Sequence, residues 1–295
     1  MKTQNNQTIS TVKDASLRRR LASLQQLIPQ TSTQSPTPSN DNAKSSPADV
    51  LPLWPDAVRA APNAILRSAL FAVIARGKRK TFARYERIAS VEGVEIHYKG
   101  EALDQGDLDV WLAILHLARN RPAGHEFRTT SYALLKMLGR ADTASNRNRL
   151  ADRIDRLYEC SLKFTYNGGM YKGRLLPEVA RDPENKQWAF SITPRMAALF
   201  GRVHYSQVDA AIRRALDGKS LAQWLHCFYS SHAKPYPMNV TTLMRLSGSN
   251  NDTPRSANQK VRKALEEIAD AATASGQLFH FEIVGGLVHV EKGKS

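Results

Sequence analysis

Apolar positions along the chain fall into helical stripes and alternating runs, in an order that occurs twice. The first series opens with a helix over 107–119, whose buried side carries Trp111, Leu112, Leu115, Leu117 and Ala118. After Pro122 and Gly124, Thr130 or Ser131 caps a short helix carrying Ala133, Leu134, Met137 and Leu138, which Gly139 ends. A polar turn over 140–145 leads to a helix over 146–162, with Leu150, Ile154 and Leu157 on its inner stripe. The run 162–176 reads as a β-hairpin around Asn167, Gly168 and Gly169, residues that accept the left-handed backbone of a tight turn. A strand over 188–192 and a helix over 193–201 follow. The second series has a helix over 220–232, inward at Leu221, Trp224, Leu225 and Phe228, and a short helix over 240–246 ended by Gly248. A long helix over 254–272 starts with Thr253 as cap and Pro254 in the first turn. The last element is a strand, Gly285-Gly286, strand hairpin.

Helix, two helices joined by a tight turn, then hairpin is the order of a winged helix. The predicted fold class is therefore α+β, with tandem winged-helix domains over 51–200 and 201–295 behind a disordered tail over 1–50. Residues 30–47 are almost all Ser, Thr, Pro, Asn and Gln, a composition that cannot offset the entropy of ordering. One amphipathic segment, 14–29, interrupts the tail, with Leu17, Leu21, Leu24 and Ile28 at helical spacing beside Arg18, Arg19 and Arg20. Ahead of a strand candidate at 94–100 runs a basic stretch, with Arg76, Lys78, Arg79, Lys80, Arg84 and Arg87 against Glu86, read as a solvated face. Asp107 and Asp109 read as first-turn acids that favour the helix dipole.

Charge changes the picture. There are 42 Lys+Arg against 27 Asp+Glu, a formal net charge of +15, which points to a polyanionic partner. No run of apolar residues approaches the ~20 needed to cross a bilayer, and the amino terminus lacks a secretory core; a cytoplasmic protein is expected. Cys160 and Cys227 each lie in an apolar-periodic segment and read as small buried hydrophobes. No cofactor, metal site or catalytic constellation is expected. There is no Cys-x-x-Cys and no His-x-His, and His226 and His232 are misplaced for one helix face. Both near matches to a phosphate loop fail, at Arg174-Leu175 and at Arg213.

The long helix of the second series carries the candidate chemistry. Ala257, Val261, Ala264, Leu265 and Ile268 form one stripe, and Arg255, Ser256, Gln259, Arg262 and Lys263 lie away from it. Acids begin only at Glu266 and Glu267. A recognition helix meets bases with its early residues, where Arg pairs bidentately with guanine and Gln with adenine. Arg255, Gln259 and Arg262 are the candidates for base readout, with Ser256, Asn258 and Lys263 flanking on phosphate. In the first series Asp152 and Asp155 interrupt the basic face, leaving Arg147, Asn148, Arg149 and Arg153 as phosphate contacts. Lys172 and Arg174 in the first hairpin and Lys292 in the second are expected at hairpin tips, reaching backbone or minor groove.

Three strings, LWPDAVRAAPNAILRSALF, YKGEALDQGDLDVW and SSHAKPYPMNVTTLMRLSGS, resemble the TrfA family of plasmid replication initiators, over roughly 51–292. The resemblance implies two winged-helix domains that bind direct repeats (iterons) in a plasmid origin as double-stranded DNA, with the second domain reading most of the major groove. It also implies opening of an adjacent AT-rich region, recruitment of the host helicase and initiator, and a monomer in equilibrium with a less active homodimer. The family's glutamine–leucine–x–leucine–phenylalanine sliding-clamp segment is missing: SSPADVLP stands in its place, and Gln26-Leu27-Ile28 is a poor substitute. The resemblance thus gives no ground for a clamp partner. A transcriptional regulator would read DNA through the same helix, and only the resemblance separates it from an initiator.

Overall fold

The structure is a computed structural model that describes residues 50–75, 77–166, 169–202, 205–249 and 253–294. All of them lie in one compact unit, Ser45–Ser295. The expectations for the tail and its 14–29 helix, for Asn167 and Gly168, and for 250–252 fall outside the described residues.

The chain begins with strand β1 (Val58–Pro62), the single turn α1 (Asn63–Leu66) and the two-residue strand β2 (Phe71–Ala72). Strand β3 (Thr81–Ile88) comes next, inside the stretch read from its charge as a solvated face. Its side chains are exposed or half-buried, and its pairing with β4 (Val94–Glu101) slips between Phe82 and Glu86. The strand is anchored by Phe82, edge-on to Tyr98 at 5.8 Å, and by half-buried Ile88. Charges that an edge strand carries to blunt its exposed backbone hid the two-residue period.

Strand β5 (Leu103–Asp104) runs directly into α2 (Gln105–Ala118). The start is fixed by a capping box: the Asp104 carboxylate accepts from the Gly106 and Asp107 amides, and Asp107 accepts from the Asp104 amide. Leu108, Val110 to Leu115 and Ala118 are all buried, so α2 is hydrophobic nearly all round and forms the centre of the first core. Strand β6 (Phe127–Thr129), α3 (Ser131–Met137) and α4 (Ala144–Glu159) follow. Thr130 caps α3 and Thr143 caps α4, each through its hydroxyl. Leu150, Ile154 and Leu157 face inward as the spacing predicts. Strands β7 (Ser161–Tyr166) and β8 (Gly169–Gly173) form the expected hairpin and complete the antiparallel order β3-β4-β7-β8. Strands β9 (Glu178–Arg181) and β10 (Trp188–Ser191) make a three-stranded sheet with β6, and α5 (Pro194–Arg202) follows.

Strand β11 (Tyr205–Asp209) pairs antiparallel with β1, from Val58 opposite Asp209 to Pro62 opposite Tyr205. Helices α6 (Ala210–Ala215) and α7 (Ser220–Ser230), strand β12 (Met238–Asn239), α8 (Val240–Leu246), α9 (Pro254–Ala274) and the hairpin β13 (Gln277–Val284) with β14 (Leu287–Lys294) complete the chain. The sheet order is β12-β14-β13. Gly285 and Gly286, at φ 57° and 81°, supply the left-handed turn that the hairpin requires. A second core gathers Trp224, Leu225, Phe228, Val261, Leu265, Ile268 and Val288.

The two cores are stitched together. Besides the β1–β11 pair, the Trp224 Nε1 donates to the Ser68 carbonyl at 3.0 Å and the Val73 amide to the Ser247 carbonyl at 2.8 Å. Gly248, at φ 82°, lies so close to Ala72 that a Cβ there would come within 2.8 Å of the Ala72 Cβ.

Candidate nucleic-acid interface

Helix α9 is set by its ends and its stripe. Thr253 accepts from the Ser256 amide at 3.3 Å and Pro254 occupies the first turn. Ala257, Val261, Ala264, Leu265 and Ile268 are buried. The opposite face presents Arg255, Gln259, Arg262 and Lys263, all exposed, with no side-chain hydrogen bond or ion pair to another described residue. From Arg255 to Arg262 the helix advances about 10.5 Å, two turns. Ser256 and Asn258 flank this face half-buried, and Asn258 Nδ2 donates to the Pro254 carbonyl at 2.9 Å. The acids Glu266 and Asp270 continue the same face toward the carboxy end.

The corresponding helix of the first half, α4, is wired differently. Arg147 is exposed, but its guanidinium grips Asp142 with two bonds of 2.6 Å. Asn148 and Arg149 are exposed. Arg153 departs from the expected phosphate-facing position. It turns inward, Nε 3.8 Å from the Asp107 carboxylate, and lies over the first turn of α2, where a Cβ on Gly106 would collide with it. Arg156 joins the same carboxylate at 2.9 Å and Arg79 does so at 3.0 Å. Asp107 has no exposed side-chain surface. Burial and then Asp104 push its carboxyl above the ordinary range, against the pull of Arg156. A second clamp joins the halves: buried Arg213 on α6 pairs with Asp109, donates to the Gln105 carbonyl at 2.9 Å and reaches Cys227 Sγ at 2.9 Å. Thus Asp107 is a first-turn acid that also holds arginines, Asp109 lies one turn further in than its spacing suggested because the helix starts at Gln105, and Cys227 is more than a small hydrophobe. Cys160 is free and buried, its thiol pushed up to about 12 by burial.

The hairpin positions are corrected as well. Lys172 is exposed opposite Lys163, and Arg174 follows the end of β8 with its guanidinium 4.7 Å above the Tyr158 ring; both lie away from the Tyr166–Gly169 end of the hairpin. Lys292 lies opposite Phe279, far along β14 from the Gly285–Gly286 tip, and is half-buried.

A cleft of about 690 Å³ was missed from sequence. It runs between the 69–89 region and the α8–α9 turn, and Lys78, Lys80, Arg87, Arg245 and Lys260 converge on it. The basic stretch was visible, but nothing local tells that it faces α9. Among the described residues no cluster of His, Cys, Asp or Glu is suited to a metal, and no helix is long and apolar enough to cross a membrane.

The TrfA protein family profile matches residues 33–292. The chain belongs to the TrfA family. A TrfA relative, the plasmid replication initiator protein TrfA of Escherichia coli, is 27% identical over 251 residues, covering 83% of this chain and 64% of that protein. The chain thus matches less than two thirds of that TrfA's length. Among solved structures, domains 2 and 3 of RctB share the fold with a TM-score of 0.52 at 13% identity, over 79% of this chain and 96% of that one. The Pi initiator protein in complex with iteron DNA gives a TM-score of 0.48 at 12% identity, over 65% of this chain and 94% of that one. The TrfA match takes in α4, α9 and the basic cleft together.

Proposed function

We propose that this TrfA-family chain initiates plasmid replication by binding direct repeats in its origin as double-stranded DNA, then promoting origin opening and recruiting host proteins such as the replicative helicase. In this reading α2–α3–α4 with β7–β8, and α7–α8–α9 with β13–β14, are two winged helices. The observation that carries it is the exposed, acid-free amino-terminal half of α9, where Arg255, Gln259, Arg262 and Lys263 stand opposite the buried stripe. Residues that early in a recognition helix reach base edges. Lys78, Lys80 and Arg245 in the adjoining cleft supply phosphate contacts.

The test is fluorescence anisotropy with a duplex carrying the plasmid's repeats and a scrambled duplex of the same length. Arg262→Ala is expected to weaken repeat binding by about 5- to 150-fold, the worth of one bidentate contact, and scrambled binding far less. Equal losses on both would remove Arg262 from base readout. A plasmid bearing the repeats should replicate only when the intact gene is supplied, which separates an initiator from a regulator.

A further inference from the structure

Lys292 leads away from DNA. Along β14, Val288 and Val290 point into the second core, and Lys292 follows at the same two-residue period. It enters a cavity of about 390 Å³ bounded by β11, α7, the carboxy half of α9 and the β13–β14 hairpin. That volume is in the range of small-molecule sites. Two of the cavity's lining residues each hold a buried polar atom with no partner among the described residues: Nδ1 of His226 and the hydroxyl of Tyr229, in residues only 6% and 1% exposed. Buried polar groups are nearly always paired, so two orphans in residues that line one cavity single it out. Lys292 makes no ion pair with a described residue, and Arg67 adds to the positive potential around it. The cavity's carboxylate, Asp209, is already engaged by the Ala211 and Ile212 amides and by Gln277 Nε2 at 2.8 Å. Burial, then Arg213, keeps His226 neutral, with a pKa of about 3, so its ring offers one donor and one acceptor.

We infer that this cavity binds a small organic anion, a phosphate monoester or carboxylate on an apolar body. The anionic group sits on Lys292, a polar group reaches His226 Nδ1 and the Tyr229 hydroxyl, and the body lies against Ile268 and Phe279. Val58 on β1, from the first half of the chain, lines the cavity together with Gln207 on β11, so the bound anion lies at the seam between the halves. The site is independent of the DNA reading and is tested without DNA.

The experiment is titration calorimetry on the full chain with 5′-AMP and N-acetyltryptophan, beside adenosine and N-acetyltryptophan amide as uncharged counterparts. At least one anion should bind saturably with Kd below about 1 mM, and at least tenfold more tightly than its uncharged counterpart. Lys292→Met and Tyr229→Phe should each weaken that binding tenfold or more. Tyr229→Phe removes a hydroxyl with no partner in the free protein, so its Tm should hold or rise; this variant carries the test if Lys292→Met does not fold. Absence of saturable binding by either anion, equal affinity for the uncharged counterparts, or indifference to the substitutions would overturn the assignment.

Discussion

Replacing Asp107 with alanine removes a carboxylate that holds α2, α4 and the segment before β3 together. The side chain has no exposed surface, accepts from the Asp104 amide at 2.9 Å, and meets Arg79 at 3.0 Å and Arg156 at 2.9 Å, with Arg153 at 3.8 Å. Arg79 keeps Asp104 and Glu101 as partners, so its loss is partial. Arg156, with 16% of its side chain exposed, loses its carboxylate altogether. Breaking a buried pair on one side costs about 3–5 kcal/mol, and the capping box contributes about 1 more. Against this, an ion that burial penalises is removed, so the net expectation is about 4 kcal/mol. That is a large share of the roughly 5–15 kcal/mol that stabilises most folded proteins.

The assay is equilibrium urea unfolding followed by tryptophan fluorescence. With m of about 2 kcal/mol/M, the midpoint should fall by about 2 M. Asp107→Asn keeps an acceptor for the Asp104 amide and loses only the charge, so it should fall less. Arg147→Ala breaks only the exposed pair with Asp142 and should leave the midpoint in place. A fall under about 0.5 M for Asp107→Ala, equivalent to about 1 kcal/mol at that m, would show that the arginines do not depend on this acid.

Three further outcomes are expected. Gly248→Ala combines a φ of 82° with a 2.8 Å approach to the Ala72 Cβ, and should cost about 1–3 kcal/mol in thermal unfolding; an unchanged Tm would mean the seam yields freely. His226 is held at about 3 and His116 at about 4, both chiefly by burial. Each titrates below its unfolded value of about 6.5, so the unfolded chain binds more protons in between. This stability is complete above that value and is lost as pH falls through 6.5 toward the folded values, about 2 kcal/mol at pH 5 from His226 alone. Urea midpoints equal at pH 7 and pH 5 would contradict it, and His226→Gln should flatten the slope. Finally, affinity for origin DNA should drop about 10³- to 10⁵-fold between 50 and 200 mM salt if some 6–10 phosphates are neutralised, and a flat response would count against the basic cleft as a contact.

What could be read from sequence was whatever local chemistry fixes. Helix α8 and the start of α9 were placed correctly because Gly248, Thr253 and Pro254 mark those ends within a few residues. Pairings distant in sequence were not legible: β1 with β11 and the two-residue β2 with β5 carry too little pattern to show. Nor does a first-turn acid reveal that it is fully buried, since Asp107 satisfies the capping pattern either way. Arg153 adjoins the stripe of Leu150, Ile154 and Leu157, so periodicity gives its flank of the helix but not the carboxylate across from it. Lys292 was legible and was missed. Counting by twos from Val288 and Val290 puts it on the inward face.

The wiring of the arginines bears on how the two halves would share the work under the proposed function. A guanidinium already bonded to a carboxylate must exchange that partner for a phosphate or a base edge, and the exchange returns little net free energy. On α4, Arg147 is committed to Asp142, and Arg153 and Arg156 to Asp107, leaving Asn148 and Arg149 on the exposed side. On α9, Arg255, Gln259, Arg262 and Lys263 carry no such commitments among the described residues. Under that reading each bond they form with DNA would replace only water. Under the proposed function the same net charge would supply one helix for discrimination and one that mostly holds its own domain together, and Glu266 and Asp270 at the far end of the α9 face would favour an approach to the duplex by its amino-terminal turns.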